Sequence, residues 1–358
     1  MQLRSVEIRD LRILKSVHLE LRPGVNLLYG ANGSGKTSVL EAVSFSASAR
    51  SFRTPRSAEL IRRQAPGFVV RAEAARDERG GSLRIEASRS RRGTRCAIGG
   101  KPVSGTSELT RQFPCIAITP QHHLLVDGSP RERRRFIDLT LFHVEQHYLD
   151  AWQCYHRALR QRNAAIRSAR TAAALQPWEG ALAEQAQRLD TMRTEALERL
   201  ATQFEACATT LDLEDVAVHY RRGWDEGMDL LELLERSRRE DLSVGHTRFG
   251  PHRADLQFTV LGAPAASIWS RGQAKLGAAS LLLAQSALVQ ERRGEAPVLL
   301  IDDFGAELDE LRRKKLAKLA HNSAAQIIVA VNDPTQWPAA EVPLGALFHV
   351  EQGQIVAA

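Results

Sequence analysis

Apolar positions along the chain switch repeatedly between two periods, and the switching predicts the fold class. Over residues 2–30 they recur at every second position, at Val6 and Ile8 and then at Val17, Leu19 and Leu21, as on strands with one buried face. Pro23-Gly24 marks a turn, and the run Val25-Asn26-Leu27-Leu28-Tyr29 reads as a short buried strand. Ser38 to Ala49 changes to helical spacing, with Val39, Leu40, Ala42, Val43 and Ala47 on a packed helix. Residues 68–103 return to short strands separated by Arg- and Gly-rich turns, and Phe113 to Thr119 is a further strand candidate.

From Ser129 to about Leu211 the spacing is helical, through Phe136, Leu139, Leu141, Val144, Tyr148, Leu149, Trp152 and Tyr155. Ser129-Pro130-x-Glu132 opens this stretch as a capped helix with proline at its first position. Pro177 breaks it, and a second helix is expected from about Trp178 to Leu211. A strand is expected over Val216–Arg222 and a helix over 227–240. The absence of sustained heptads argues against a long coiled coil. Strand and helix alternate again from near Ala254. Ala274–Glu291 and Leu311–His321 read as helices, and Pro297–Ile301 and Gln326–Val331 as buried strands. The expectation is an α/β protein with one discontinuous domain, residues 1–122 and 245–358, interrupted by a mainly helical insertion, residues 123–244.

The turn after the first buried strand is Gly30-Ala31-Asn32-Gly33-Ser34-Gly35-Lys36-Thr37-Ser38, which matches the phosphate-loop pattern G-x-x-x-x-G-K-[ST]. Its glycines let successive backbone N–H groups face phosphate oxygens, and the following helix adds its positive end. Lys36 is expected to reach the β- and γ-phosphates and Thr37 to hold Mg²⁺. Val298-Leu-Leu-Ile301-Asp302-Asp303 reads as a core strand that delivers two carboxylates at its C-terminal end. Asp302 would serve the metal, and Asp303 would orient or activate the attacking water. Ser270-Arg271-Gly272-Gln273, about 30 residues earlier, offers a hydroxyl, a glycine amide and a helix N-terminus, which together suit a second anion site.

Composition narrows the setting. The chain has 358 residues, 43% apolar and 25% charged, enough for one large or two modest domains. No run approaches the ~20 apolar residues of a membrane span, and Met1 to Arg9 is too charged for a signal peptide, so a cytoplasmic protein is expected. Cys96, Cys115, Cys154 and Cys207 lie far apart without a C-x-x-C pair and read as reduced thiols. The net charge is +7, and arginine gathers at residues 50–63, 84–95 and 131–135. Such clusters can neutralise phosphates and give salt-dependent binding to nucleic acid.

Ser270 to Gln273 resembles the S-G-G-Q signature of ABC-type ATPases, which in that family faces the γ-phosphate held by a second protomer. Ala306-Glu307-Leu308-Asp309 falls at the spacing of the loop that crosses the dimer interface in such heads. Gln121 stands where they place a phosphate-sensing glutamine, and Asn332 where many carry a switch histidine. Over essentially its full length the chain further resembles the RecF family of bacterial SMC-like ATPases. That resemblance rests on Gly30 to Thr37, Arg131 to Asp138, Gln161-Arg162-Asn163, Gly250-Pro251-His252-Arg253-Ala254-Asp255, Ser270 to Gln273 and Leu300 to Asp309. It departs from the pattern at Trp269, where leucine commonly precedes the serine, and at Gln121, where the family would have an acidic residue.

The resemblance implies an ABC-type (SMC-like) P-loop ATPase head with an inserted helical arm, and an ATP-dependent homodimer. In such a dimer, ATP would lie between Lys36 and Thr37 of one protomer and Ser270 and Gly272 of the other. It further implies a weak, Mg²⁺-dependent, DNA-stimulated ATPase, with Asp303 one carbon shorter than the usual glutamate and turnover correspondingly slow. The expected ligand is double-stranded DNA near single-strand gaps. The expected partners are RecR and RecO in loading RecA, in DNA repair, recombination, replication and the SOS response. Gly250 to Asp255 is expected on the head surface near the nucleotide or the dimer interface. The helical insertion and the family blocks argue against a transport ATPase subunit. The Ser270–Gln273 element has no use in a small-molecule kinase. A DNA-binding module with a merely structural nucleotide site would dimerise equally with ADP and ATP.

Overall fold

The computed structural model describes residues 1–75, 81–103, 106–168, 171–306, 308–324 and 326–357. They separate into two units. The first comprises Met1–His123, Ala206–Leu213 and Ser270–Ala358; the second comprises Leu124–Glu205 and Glu214–Trp269.

The chain begins in the first unit with β1 (Gln2–Leu11), β2 (Leu14–Glu20), β3 (Gly24–Tyr29) and α1 (Lys36–Ser48). Then come β4 (Gly67–Ala75), β5 (Ser82–Ser90), β6 (Gly93–Ile98), β7 (Lys101–Pro102), α2 (Thr106–Gln112) and β8 (Cys115–Ile118). The second unit holds α3 (Leu124–Asp127), α4 (Pro130–Val144), α5 (Tyr148–Ser168) and α6 (Glu179–Thr210), whose last turn belongs to the first unit. It continues with β9 (Val216–Arg221), α7 (Leu230–Arg236), α8 (Arg238–Val244), β10 (Asp255–Val260), β11 (Ala263–Pro264) and α9 (Ala265–Ile268). The first unit resumes with α10 (Arg271–Arg293), β12 (Val298–Ile301), α11 (Glu310–Asn322), β13 (Gln326–Val331), β14 (Leu344–Glu351) and β15 (Gln354–Ala357).

Two six-stranded sheets and α1 make the core of the first unit. One sheet, in the order β2-β1-β4-β5-β6-β7, is antiparallel, and β5 shows the alternation that such a sheet demands, with Leu83, Ile85 and Ala87 buried and Arg84 and Glu86 exposed. The other runs β15-β14-β3-β13-β12-β8 and is parallel except for the β14–β15 hairpin. Strands β12 and β13 are buried at every position, and β3 at all but its two ends, as sheets covered on both faces require. Apolar residues of α1, among them Val39, Leu40 and Phe45, join Val6, Ile8 and Val70 of the first sheet and Leu28, Leu300 and Ile328 of the second in one cluster. Gln326 stitches the sheets together: its amide accepts from the Leu3 N–H at 2.8 Å and donates to the Leu3 and Arg22 carbonyls at 2.9 and 2.8 Å.

The second unit is held by a buried polar network. Arg162 is fully buried, and its guanidinium donates to Asp241 at 2.7 Å, Thr247 at 2.9 Å and Glu179 at 3.2 Å. Arg193 donates to Asp138 at 2.7 Å, to the Tyr148 hydroxyl at 2.9 Å and to the Pro251 carbonyl at 2.8 Å. Arg133 forms two bonds to Asp255, at 2.6 and 3.0 Å. His252 takes its neutral form from its partners: Nε2 donates to the Thr247 carbonyl at 3.0 Å, and Nδ1 accepts from the Tyr155 hydroxyl at 2.6 Å. Gly250 is required beside this pair, because a Cβ there would lie 2.7 Å from the Tyr155 oxygen.

Three expectations are corrected. Residues 245–269, expected with the discontinuous head, belong to the second unit, because β10 pairs with β9 and Asp255 is bound by Arg133. Gly250 to Asp255, expected on the head surface, is part of this interior network, with Arg253 left exposed. The single helix expected over 227–240 is two short ones meeting at Ser237, which ends α7 and opens α8.

Two measurements test the network. Arg162→Ala would leave Asp241 without its buried partner and should cost about 3–5 kcal/mol in urea unfolding. The exposed Arg160→Ala should stay within about 0.5 kcal/mol. Burial holds the His252 pKa down at about 4, so the unfolded chain takes up this proton first as pH falls. The stability His252 contributes is therefore present above pH ~6.5 and lost as pH falls through its folded pKa. His252→Asn should flatten the decline of the urea midpoint over that window; an unchanged slope would contradict the assignment.

Candidate nucleotide site

The register of the parallel sheet assembles the site. Val331 of β13 pairs with Tyr29 of β3, and Ile301 of β12 pairs with Val329 of β13. Residues 30, 302 and 332 therefore leave the sheet side by side at the C-terminal ends of its strands, where open α/β sheets bind ligands.

The phosphate loop is shaped by its glycines and by what packs on it. Gly30 has φ 151°, and a Cβ there would lie 2.1 Å from the Val350 carbonyl oxygen of β14. Gly35, the N-cap of α1, has φ 122° and faces Ile13 and Leu14. From the other side, the Gly353 N–H donates to the Ser34 carbonyl at 2.8 Å. The β1–β2 turn is fixed as well: Arg12, at φ 53°, forms two bonds to the fully buried Glu41 of α1, at 2.6 and 3.0 Å. The Ser34 hydroxyl is buried without a protein partner.

Lys36 donates to the Gly30 carbonyl at 2.6 Å, the Ala31 carbonyl at 2.9 Å and Asn332 Oδ1 at 3.1 Å. These use all three of its N–H groups. Burial lowers the Lys36 pKa, while Asp302 and Asp303 oppose the shift. Thr37 Oγ1 donates to Asp302 Oδ1 at 2.9 Å. A hydroxyl and a carboxylate side by side are hard oxygen donors, the set that suits Mg²⁺. Burial raises the Asp302 pKa; the Thr37 bond and the positive charges of Arg53 and Lys36 act against it, and Asp303 adds to it. Asp303 is exposed and held at φ 54°, a left-handed conformation that Asp tolerates better than most residues. The next residue, Phe304, fixes it by donating its N–H to the Ala330 carbonyl at 3.0 Å.

Ser270 is the exposed N-cap of α10 and forms a capping box with Gln273. Its Oγ accepts from the Gln273 N–H at 3.3 Å, and its N–H donates to Gln273 Oε1 at 2.9 Å. The serine is therefore a cap; Ser270 and Arg271 are exposed at the start of α10, and Gly272 is half-buried. Sequence reasoning thus placed Gly30 to Ser38, Asp302 and Asp303 at one locus, whereas the bonds of Ser270 and Gln273 close on each other. Gln121 is exposed in the turn after β8, while its neighbours His122 and His123 line a cleft with Asp302, Asp303 and Lys275. Glu307 of the expected interface loop lies outside the described residues. The β14–β15 hairpin, the Arg12–Glu41 pair and the Asn332–Lys36 bond were not foreseen. Asn332 was within reach, since it follows a buried strand that pairs with the strand before the loop.

The family model described as "RecF/RecN/SMC N terminal domain" matches residues 2–355. The sheet order, phosphate loop and acidic strand thus belong to an SMC-like, ABC-type ATPase head. The chain is a member of the RecF/RecN/SMC family, and within it of the RecF proteins. It is 38% identical to the DNA replication and repair protein RecF of Pseudomonas putida (strain GB-1), covering 99% of this chain and 98% of that protein. It is 37% identical to that of Edwardsiella ictaluri (strain 93-146), covering 99% of each. Among solved structures it is similar to the recombination mediator protein RecF with ATP in the RecFOR pathway, with a TM-score of 0.86, 24% identity, and coverage of 100% of this chain and 97% of that one. It is also similar to an SMC head bound to the C-winged helix domain of ScpA, with a TM-score of 0.61, 16% identity, and coverage of 100% and 98%. Among the described residues no helix is long and apolar enough to cross a membrane.

The raised pKa of Asp302 means that the native chain holds this proton more tightly than the unfolded chain does. Its favourable contribution is complete below the ordinary carboxylate range and is lost as pH rises through the folded pKa. Asp302→Asn should therefore raise the thermal midpoint at pH 7.5 without nucleotide, with the gain shrinking toward pH 4. The same variant should lose the further rise given by Mg²⁺-ATP. A midpoint below wild type at pH 7.5 would contradict the burial argument.

Proposed function

We propose that this protein is an ATP-driven switch that closes as a homodimer on DNA and lets go when ATP is hydrolysed. The observation that carries the reading is the Lys36–Thr37–Asp302 arrangement at the start of α1, with Thr37 Oγ1 2.9 Å from the Asp302 carboxylate. In this reading the backbone of Gly30 to Gly35 cradles the phosphates, and Lys36 exchanges its loop carbonyls and Asn332 for β- and γ-oxygens. Mg²⁺, held by Thr37 and Asp302, would neutralise phosphate charge. Asp303 orients the attacking water and accepts its proton. Ser270, Gly272 and the N-terminus of α10 meet the γ-phosphate of a second protomer, so loss of that phosphate removes the bridge.

The DNA part of the reading is supported by the net charge of +7 and by relatives named DNA replication and repair proteins. The similar ATP-bound structure, described as a recombination mediator of the RecFOR pathway, supports a partnership with RecR and RecO; action at duplex–gap boundaries ahead of RecA loading is part of the same proposal. Hydrolysis is slow and stimulated by DNA in this scheme, and the setting is the cytoplasm.

Sedimentation with ADP, with Mg²⁺-ATP, and with Mg²⁺-ATP plus gapped duplex tests the scheme. ATP alone should convert monomer to dimer, and DNA should join the dimer. Ser270→Arg should block both while leaving ATP affinity near wild type. Lys36→Ala, which removes a charge-assisted bond to phosphate, should weaken ATP binding by about 10- to 100-fold. Equal dimerisation with ADP and ATP would sink the reading.

A further inference from the structure

The three arginine-rich stretches are used differently. In the first, Arg62 is paired with Asp10, Arg56 with Glu59, and Arg53 acts on Asp302. In the third, Arg133 is bound to Asp255 and Arg134 to the Ala254 carbonyl, so both help hold the second unit together.

The second stretch lies on the β5–β6 hairpin, and its ion pairing stops partway along. Away from the turn, Arg84 meets Glu73 at 2.8 Å, and Arg71 meets Glu86 at 2.7 Å. From the Ser88–Arg95 pair to the turn there are no carboxylates to meet, because the sequence from Ala87 to Val103 contains no Asp or Glu. Arg91 and Arg92 form the turn, and both are exposed, as is Arg95. Among the described residues none of the three is in an ion pair. Arg89 donates to Thr94 at 3.3 Å, and its Nε is shielded from water without an acceptor. Unpaired positive charge is thus concentrated at the turn end of the hairpin, while Arg71 of β4 and Arg84 of β5, farther from the turn, are neutralised.

We propose that the turn end of this hairpin is the surface that grips the sugar–phosphate backbone of nucleic acid, with Arg91, Arg92 and Arg95 as the phosphate-binding side chains. The inference rests on the DNA-binding reading above and assigns the contact to one of the three basic stretches. Guanidinium forks match phosphate oxygens. The hydroxyls of Ser88, Ser90 and Thr94, interleaved with the arginines, are the other side-chain donors that backbone contacts use. The tip offers no aromatic or large apolar residue, the anchor that a protein partner's interface is built around. Contacts of this kind read no base and carry a strong salt dependence.

The test is fluorescence anisotropy of a labelled gapped duplex with Mg²⁺-ATP, over a series of salt concentrations. Wild type, the Arg91→Ala/Arg92→Ala/Arg95→Ala triple variant and Arg84→Ala would be compared. The triple variant should bind at least ten-fold more weakly, with a salt slope reduced by about 0.9 for each phosphate that is no longer neutralised. Its affinity for a fluorescent ATP analogue and its thermal midpoint should match wild type. Arg84→Ala, which removes a neutralised arginine, should keep the wild-type slope. If wild type binds DNA and the triple variant binds with the same affinity and slope, the hairpin assignment is overturned and the DNA reading stands. An Arg84→Ala slope as low as that of the triple variant also overturns it. If wild type binds no DNA, both fall together.

Discussion

The nucleotide site depends on β3 lying between β13 and β14. Parallel pairing to both neighbours sets the height at which the phosphate loop leaves the sheet. That height decides which residues meet it: Asn332 through β13, Asp302 through β12, and the Val350 carbonyl and Gly353 through the β14–β15 hairpin. A one-residue slip in the β3–β13 or β13–β12 pairing would turn the strand faces over and carry the Asp302 carboxylate away from Thr37. Gln326, which ties β13 to β1 through Leu3, locks the register from the opposite end of the strand.

Charge is handled in two ways in this chain. In the second unit, the buried Arg162 and Arg193 and the half-buried Arg133 donate to carboxylates, hydroxyls and carbonyls, which selects one arrangement of α4, α5, α6 and β10 over others of similar packing. The blocks that set the sequence apart, Arg131 to Asp138, Gln161 to Asn163 and Gly250 to Asp255, mostly supply this interior network. Their residues report on fold specificity more than on chemistry. In the first unit the unusual features are instead gathered around the phosphate loop: an αL aspartate, a buried lysine and a half-buried carboxylate beside a hydroxyl. Destabilising features gathered at one locus are what a binding site costs its scaffold.

Most of this was legible in the sequence, for identifiable reasons. The central strands of the parallel sheet are buried on both faces and so read as unbroken apolar runs, and the phosphate loop is a local motif whose glycines have local causes. What escaped was long-range. β14 reads Leu344-Gly-Ala-Leu-Phe-His-Val, and its Gly345 is required only because a Cβ there would lie 2.2 Å from the Pro23 carbonyl oxygen. The assignment of residues 245–269 failed similarly, because membership of a unit is set by pairing partners, here β9 and Arg133, and not by composition. The Arg12–Glu41 pair joins a turn to a helix 29 positions away, a separation at which no periodicity carries a signal.

The strand that ends in the phosphate loop is made on the ribosome long before both of its neighbours. Lys36 and its partner Asn332 are separated by 296 positions, and Asn26 is bonded to a carbonyl 301 positions away. At ordinary translation rates the interval between them is on the order of tens of seconds. For that time β3 has two open edges and α1 has only one of its two sheets to lie on. Such an intermediate is prone to pairing with other chains. A nascent or prematurely terminated chain lacking β13 and β14 would carry the whole phosphate-loop motif and still be unable to assemble the site around ATP.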